Sequence, residues 1–250
     1  GSSPPPKGMA ALIERYMAEV APLKAPRTYR DNLIEVENLK KVFGKMNPKD
    51  VRPHHIGSYL DLRGKKAPTR ANREKALLSH ILTKGMRWGF LDSNPCFGVA
   101  RNKETARTRY ISDKEYLKVW QKANLTIRCL MDMAYLTSQR ISDLLDIEHA
   151  DISSAGIEFI QQKTGKKLRV AMTADVKSVI DRCRRIYPKV KSKYLFYSKQ
   201  GDRYTYGGIS AMFRRSAKKA GVTDFHFHDL RAKAITDSTL AGQDAQKLAG

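Results

Sequence analysis

The chain has 250 residues, of which 47 are Lys or Arg and 25 are Asp or Glu, so its formal net charge is +22. Hydrophobic residues make up 41% of it, which is enough for one large or two modest domains and excludes a disordered basic tail. So large an excess of positive charge favours a polyanionic partner, nucleic acid first, and no apolar run approaches the length of a membrane span.

The first hundred residues predict a module of four helices. Apolar side chains recur at helical spacing over residues 9–20 and again over 33–43. A shorter helix is predicted at 54–63, and a fourth at 69–89 in "TRANREKALLSHILTKGMRWG". The opening "GSSPPPKG", residues 1–8, is interpreted as a cloning scar plus linker and is excluded from the fold.

Residues 100–109, "ARNKETARTR", indicate a linker between two domains. The segment has no apolar side chain larger than alanine and is rich in basic residues. The sequence therefore predicts a helical domain at 9–99 and a second domain at 110–250.

The second domain begins with a predicted helix, and the spacing of its apolar residues later changes from that of a helix to that of a β-strand. Ser112 and Glu115 form a capping box at a predicted helix start. "IEFIQQ" and "KLRVAM" flank "KTGK", which predicts a β-hairpin, and "YLFYS" is interpreted as one more short strand. Further helices are predicted around 127–134, 175–187 and 209–217, and from 228 onwards. Tyr204 and Tyr206, in "DRYTYGG", have the turn composition of a loop, and nothing marks either as a nucleophile.

Three segments carry side chains suited to gripping a phosphate. They are "SQRISDLLDI" with Arg140, "QQKTGKK" with Lys163, and "HDLR" with His228 and Arg231. Two guanidinium forks match phosphate oxygens and could stabilise a pentacoordinate phosphorane without a metal. A lysine could protonate a departing 5′-oxygen, and a histidine could carry the proton of the nucleophile.

Each motif also has a plainer interpretation. Arg140 could be a surface charge or pair with Asp143, and Lys163 competes with Lys166 and Lys167 in the same turn. "HDLR" could be an ordinary helix start, with Asp229 near the positive end of the macrodipole. Taken singly, none of these segments decides between the two interpretations.

Nothing in the sequence indicates a metal site. Cys96, Cys129 and Cys183 are odd in number and far apart, which predicts buried thiols in a reducing cytoplasm. His54-His55 has no ligand neighbour at suitable spacing and is interpreted as a solvated helix start. The chain offers no tight acidic cluster, which argues against two-metal phosphoryl chemistry.

In this order, the motifs resemble the tyrosine recombinase family, most closely the lambda-type phage integrases. That family has an Arg followed three residues later by Glu or Asp, a Lys on a β-hairpin, and then H-x-x-R; Arg140, Asp143, Lys163, His228 and Arg231 match it. "NREKALLSHILTKGMRWGFLDSNPC" is similar to the last helices of the family's core-binding domain. The resemblance implies a mainly α fold with a small β component: an N-terminal four-helix SAM-like core-binding domain and an α/β catalytic domain.

The resemblance also assigns roles. Arg140, Lys163, His228 and Arg231 would be catalytic, and Asp143 would support the first arginine. Side chains that would contact DNA are Lys65, Lys66, Arg70, Asn72, Arg73, Lys75, Arg107, Arg109, Lys166 and Lys167; a solvated helix face is the alternative for each.

The chain departs from the family pattern at two places. Ser138 stands where the family usually has Gly, two residues before the first catalytic Arg. After "AQKLAG" the family continues with His or Trp and later a nucleophilic Tyr, but none of the eleven tyrosines lies downstream of "HDLR". The sequence therefore predicts a catalytic domain that is incomplete at its C-terminus and does not cleave DNA as printed.

The implied function is site-specific DNA recombination through a 3′-phosphotyrosine intermediate, for the integration and excision of a phage or mobile element. It would need no cofactor, because the covalent bond conserves the phosphodiester energy. The implied partners are double-stranded DNA, a homotetramer on two DNA sites and DNA-bending accessory proteins, in the bacterial cytoplasm or nucleoid and not at a membrane. The alternatives are a non-catalytic architectural DNA-binding protein on the same fold and a type IB topoisomerase.

Overall fold

The computed structural model describes residues 8–105, 107–162 and 165–242, and its chain divides into two compact units. The division falls between Arg107 and Thr108, inside the segment predicted as a linker. Each unit has its own cluster of buried apolar side chains. The predicted fold class, mainly helical with a small β component, is confirmed.

The first unit is built from four helices, as the apolar spacing predicts. They are α1 (Met9–Glu19), α2 (Pro26–Phe43), α3 (Pro53–Gly64) and α4 (Pro68–Arg87). Proline opens α2, α3 and α4, at the position where its missing N–H costs nothing. The inward face of α4 is buried as predicted, including Leu77, Leu78, Ile81 and Leu82.

A buried carboxylate joins α3 to α4. Glu74 on α4 accepts hydrogen bonds from Tyr59 (2.5 Å) and Arg63 (3.0 Å) on α3 and from Asn38 (2.8 Å) on α2. Burial acts to raise the pKa of Glu74, but these bonds outweigh it and lower the pKa below its ordinary value. The start of α4, which carries several basic residues, is therefore held firmly against its neighbours.

The second unit places a small sheet among six helices. In the described residues the elements are α5 (Asp113–Lys122), α6 (Leu125–Thr137), α7 (Ile141–Leu145), β1 (Ile152–Ser153), β2 (Gly156–Ile160), β3 (Lys167–Ala171), α8 (Ala174–Arg184), α9 (Tyr206–Lys219) and α10 (His228–Leu240). The capping box of Ser112 and Glu115 starts α5 as predicted. The side chains of Asn124, Thr173 and Thr205 cap α6, α8 and α9, each by accepting one hydrogen bond from a backbone N–H of the first turn.

The sheet is antiparallel with strand order β1-β2-β3. Its β2–β3 pair is the predicted hairpin, with Gly156 opposite Ala171 and Ile160 opposite Lys167. The two-residue strand β1 was not predicted, because two residues are too few to show an alternating pattern.

Two local predictions were wrong. "YLFYS" is not a strand in the described residues; it forms only isolated bridges, from Tyr194 to Glu148 and from Tyr197 to Arg203. Tyr206, interpreted as a loop residue beside Tyr204, is the first residue of α9, because the Thr205 hydroxyl caps the helix there.

Candidate functional site

The site begins where α6 ends. Thr137 is the last helical residue, and Ser138 adopts the left-handed conformation, with φ at 53°. A left-handed residue is a common way to end a helix, and glycine is its usual occupant. The family resemblance places glycine at this position, so Ser138 keeps the backbone conformation without the usual residue. The turn leads directly to Arg140, which precedes α7.

Arg140 lies between a carboxylate and an amide. Its Nη1 is 3.8 Å from Asp143 Oδ2 and donates to Gln161 Oε1 at 3.4 Å. The Arg140 side chain is 24% exposed, whereas that of Asp143 is only 1% exposed. Asp143 Oδ1 also accepts from the backbone N–H of Gln162 at 3.1 Å. The carboxylate thus contacts both the arginine segment and the end of the hairpin.

Arg231, on α10, reaches the same turn. Its Nη1 donates to the carbonyl oxygen of Ser138 at 2.6 Å, although the two residues are 93 positions apart in the sequence. Burial first, and then the positive charge of Arg140, lower the pKa of the Arg231 guanidinium, while Asp143 acts in the opposite sense. Two neighbouring guanidinium groups repel each other, so an anion bound between them would relieve that repulsion.

His228 is the first residue of α10 and is exposed. It lies three residues before Arg231, so both side chains belong to one face of the helix. Asp229 is buried and accepts from the backbone N–H of His226 at 2.8 Å, which makes it the residue that stabilises the helix start. The plain interpretation therefore holds for Asp229 and leaves His228 and Arg231 available for another role.

The fourth predicted catalytic residue, Lys163, lies outside the described residues, as does Thr164. Two backbone hydrogen bonds join the described residues on either side of them. The Gln161 N–H donates to the Lys166 carbonyl at 2.9 Å, and the Gly165 N–H donates to the Gln161 carbonyl at 2.8 Å. The structure thus brings Arg140 and Arg231 together, beside the residues that flank Lys163.

Sequence reasoning missed the two buried glutamines of this site, Gln139 and Gln161. A signal was present: Ile157 and Phe159 point inward on β2, and the alternation puts Gln161 at the next inward position. A polar residue where the pattern expects an apolar one indicates a buried hydrogen-bond partner.

The residues predicted to contact DNA in the first unit differ in exposure. Four are exposed in the α3–α4 turn and at the start of α4, and we call them the α4 basic cluster: Lys65, Lys66, Arg70 and Arg73. Lys75 is half-buried and donates to the Val99 carbonyl at 3.0 Å. Asn72 is only 3% exposed and bonds to Asn102 and Glu104, so its amide is used within the unit and we assign it a structural role.

The remaining predicted contacts lie along the chain between the two cores and in the hairpin. Arg107, Lys166 and Lys167 are exposed. Arg109 pairs with Glu115 of the α5 capping box, and this bond lowers the pKa of Glu115 to about 2.

No described group of three or more His, Cys, Asp or Glu side chains is arranged to hold a metal ion. Across residues 8–105, 107–162 and 165–242, no helix combines the length and apolar character of a membrane span.

Comparison with curated proteins finds phage integrases. The integrase of Enterobacteria phage 434 is 26% identical over 212 residues, which cover 78% of this chain and 58% of that protein. The integrase of Enterobacteria phage P21 is 24% identical over 252 residues, covering 90% and 65%. The chain thus spans about three fifths of the length of these relatives.

Comparison with solved structures finds the same fold. A lambda integrase dimer bound to a COC′ core site has a TM-score of 0.86 at 21% identity, covering 97% of this chain and 94% of that one. The Tn1549 transposon integrase in complex with circular intermediate DNA has a TM-score of 0.81 at 15% identity, covering 98% and 92%.

The mainly helical fold, with a small sheet in the second unit, is that of a tyrosine recombinase. The model of the phage integrase family matches residues 109–250. The chain belongs to the phage integrase family.

Proposed function

We propose that this protein is a site-specific DNA recombinase that cuts and rejoins DNA through a covalent bond between a tyrosine and the 3′-phosphate. The observation that carries the proposal is the convergence of Arg140 and Arg231 on one turn from distant parts of the chain. Membership of the phage integrase family supports the same reaction.

The proposed chemistry assigns one role to each side chain. A tyrosine oxygen attacks the phosphorus atom, and the bond from phosphorus to the 5′-oxygen breaks. His228 takes the phenolic proton, and Lys163 gives a proton to the 5′-oxygen. Arg140 and Arg231 stabilise the negative charge that grows on the equatorial oxygens. Asp143 orients Arg140, because it is too buried to approach the DNA itself.

The partner would be double-stranded DNA. The α4 basic cluster, with Arg107, Lys166 and Lys167, supplies exposed positive charge for the phosphate backbone. Solved relatives include a lambda integrase dimer on a core site and a tetramer on a Holliday junction. We infer by analogy that this protein also works as a tetramer on two DNA sites, in the integration and excision of a phage or mobile element, with DNA-bending proteins as further candidate partners.

The second candidate function is an architectural DNA-binding protein without chemistry. The net charge of +22 supports it equally well. The buried carboxylate and the paired arginines favour the recombinase, since a protein that only binds DNA has no need to place two guanidinium groups so close together.

The test is a covalent-adduct assay with the full-length natural protein. It is incubated with a nicked duplex carrying its recombination site, so that the short released fragment, which bears the free 5′-hydroxyl, diffuses away, and adducts are scored on a denaturing gel. We expect an adduct from the wild type, none from Arg231→Ala, and an undiminished amount from Arg184→Ala, an exposed arginine at the end of α8. Tight binding without any adduct would favour the architectural protein instead.

A further inference from the structure

A continuous line of hydrogen bonds leads from the Arg140 guanidinium through two glutamine amides to a backbone carbonyl. The guanidinium Nη1 donates to Gln161 Oε1 (3.4 Å), and Gln161 Nε2 donates to Gln139 Oε1 (3.0 Å). Gln139 Nε2 then donates to the carbonyl oxygen of Thr137, also at 3.0 Å. Gln139 and Gln161 are both fully enclosed by the protein.

The direction of this line is determined at both ends. A guanidinium can only donate hydrogen bonds, and a backbone carbonyl can only accept them. Each glutamine must therefore turn its oxygen towards Arg140 and its nitrogen towards Thr137. Neither amide can flip without placing two donors or two acceptors face to face, so the orientation of both side chains is uniquely specified.

The line also ties Arg140 to the hairpin. Gln161 follows β2, and its backbone N–H and carbonyl close the turn through Lys166 and Gly165. Its side chain contacts Arg140, while its backbone bonds to Gly165 and Lys166, which follow Lys163 in the sequence. One residue thus links the segment of the first arginine to the segment of the lysine.

The charge of the partner matters as much as its position. Arg140 already has one carboxylate near it, Asp143, at 3.8 Å. A second carboxylate in place of Gln161 would compensate the guanidinium charge further and weaken its attraction for a phosphate. A neutral amide accepts the hydrogen bond and leaves that charge available.

We propose that Gln161 is a positioning residue for phosphate transfer: a neutral, buried acceptor that sets the direction of the Arg140 guanidinium without cancelling its charge. The proposal rests on the proposed recombinase function. It assigns to Gln161 an action through Arg140, not a contact with the DNA.

The test measures single-turnover cleavage of the nicked duplex and, separately, equilibrium binding to the same DNA, using the full-length natural protein. Gln161→Met keeps the approximate volume and removes the side-chain hydrogen bonds to Arg140 and Gln139, whereas Gln161→Glu keeps the acceptor and adds a charge. Gln121→Met makes the same exchange at an exposed glutamine of α5 and serves as the control. Arg140→Ala is measured in parallel.

We expect both Gln161 variants to cleave about 10- to 100-fold more slowly while they bind DNA as tightly as the wild type, since a small misplacement of a catalytic group costs rate. Gln121→Met should cleave at the wild-type rate. Wild-type cleavage by Gln161→Met would overturn the positioning role, and wild-type cleavage by Gln161→Glu would overturn the charge argument.

Two further outcomes distinguish a failure of this proposal from a failure of the proposed recombinase function on which it rests. A loss of cleavage matched by an equal loss of DNA binding or of folded protein would mean that Gln161 only supports the fold, and would overturn the proposal. Wild-type cleavage by Arg140→Ala would instead overturn the assignment of Arg140 to the reaction, whatever the Gln161 variants do.

Discussion

At the scale of single residues, Ser138 shapes the site through its backbone. Its backbone turns the chain from α6 towards Arg140, and its carbonyl oxygen receives the hydrogen bond from Arg231. Its positive φ of 53° is a conformation that costs a residue with a side chain about 1 kcal/mol or more. The left-handed backbone conformation at position 138 therefore matters more to the site than the hydroxyl group of the serine.

We predict that Ser138→Gly leaves stability unchanged or raises it by up to about 1 kcal/mol, because glycine adopts a positive φ without strain. Ser138→Val should lower stability by about 2 kcal/mol, since a β-branched residue is the least tolerant of this conformation. Urea denaturation of the three proteins measures the difference. Equal stability of the valine variant and the wild type would contradict the prediction.

At the scale of secondary-structure elements, the second unit is stabilised by side-chain hydrogen bonds and ion pairs. Some lie at the helix ends and others join neighbouring helices. The start of α5 is stabilised by the capping box of Ser112 and Glu115, with Arg109 bonded to the same carboxylate. The middle of α10 is held by a buried lysine, Lys233. The Lys233 contacts hold α10, the helix that carries His228 and Arg231.

The α5 capping box should show a defined pH dependence. The Arg109 guanidinium lowers the pKa of Glu115 from 4.5 to about 2. A carboxylate with a lowered pKa stabilises the fold above its unfolded value and loses that contribution as the pH falls towards the folded one. Glu115→Gln should therefore cost about 1 kcal/mol at neutral pH, and the difference from wild type should shrink between about pH 4.5 and pH 2.

The matched control is Glu158→Gln, which removes an exposed partner of Arg169. We expect this change to alter stability by less than about 0.5 kcal/mol at any pH, as is usual for exposed pairs. Denaturant midpoints measured at several pH values compare the two variants. A Glu115→Gln difference that stays constant down to pH 2 would refute the assignment.

Lys233 connects α10 to α5 and α6. It is 2% exposed, and its Nζ is 2.6 Å from Asp113 and 2.9 Å from Asp237. It also lies over the rings of Tyr110 and Tyr135, at 4.9 and 5.6 Å from their centres. Burial acts to lower the pKa of Lys233, but the hydrogen bonds with Asp113 and Asp237 outweigh it and raise the pKa above its ordinary value. The lysine therefore stays charged inside the unit.

We predict that Lys233→Met lowers stability by about 2–4 kcal/mol, because it removes one partner of a buried ion pair and leaves Asp237 without its cation. Lys218→Met, at an exposed lysine of α9, should change stability by less than about 0.5 kcal/mol. Thermal and urea unfolding measure both. If the two variants are equally stable, the buried contact contributes nothing, and α10 is held by apolar packing alone.

At the scale of the whole molecule, the excess of basic residues sets how the protein would meet DNA. Affinity that depends on phosphate contacts falls steeply with salt, because each contact releases condensed counterions. Two clusters of equal charge differ in their proposed role. The α4 basic cluster is the proposed contact surface. A second exposed cluster, the α8 basic patch, consists of Arg184, Arg185, Lys189 and Lys191.

We predict that changing the four residues of the α4 basic cluster to Gln makes the salt dependence of binding shallower. The negative slope of log affinity against log salt should decrease in magnitude by about 3 to 4, since each lost phosphate contact reduces it by about 0.9. The same four-residue change in the α8 basic patch should leave the slope unaltered. Fluorescence anisotropy with a labelled duplex over a salt series measures both. Equal slopes for the two variants would show that the α4 basic cluster is not a specific contact surface.

The sequence was sufficient for most of the secondary structure and for the family. Local signals specified the helices: the apolar face of α4, the capping box of Ser112 and Glu115, and the turn residues that separate β2 from β3. The predictions failed where the signal was short or came from a single residue, as at β1 and Tyr206. Two residues cannot display a period, and the capping effect of Thr205 depends on its backbone conformation.

The order of Arg140, Lys163, His228 and Arg231 along the chain predicted which chemistry to look for, because residue type and spacing are properties of the sequence itself. Only the tertiary structure decided that Arg231 reaches the Ser138 carbonyl, that Asn72 is buried, and that Gln161 lies beneath Arg140. These contacts join residues far apart in the sequence, and they depend on how α6, α10 and the hairpin pack. Local physics dictated the elements, and long-range packing determined which of their side chains meet.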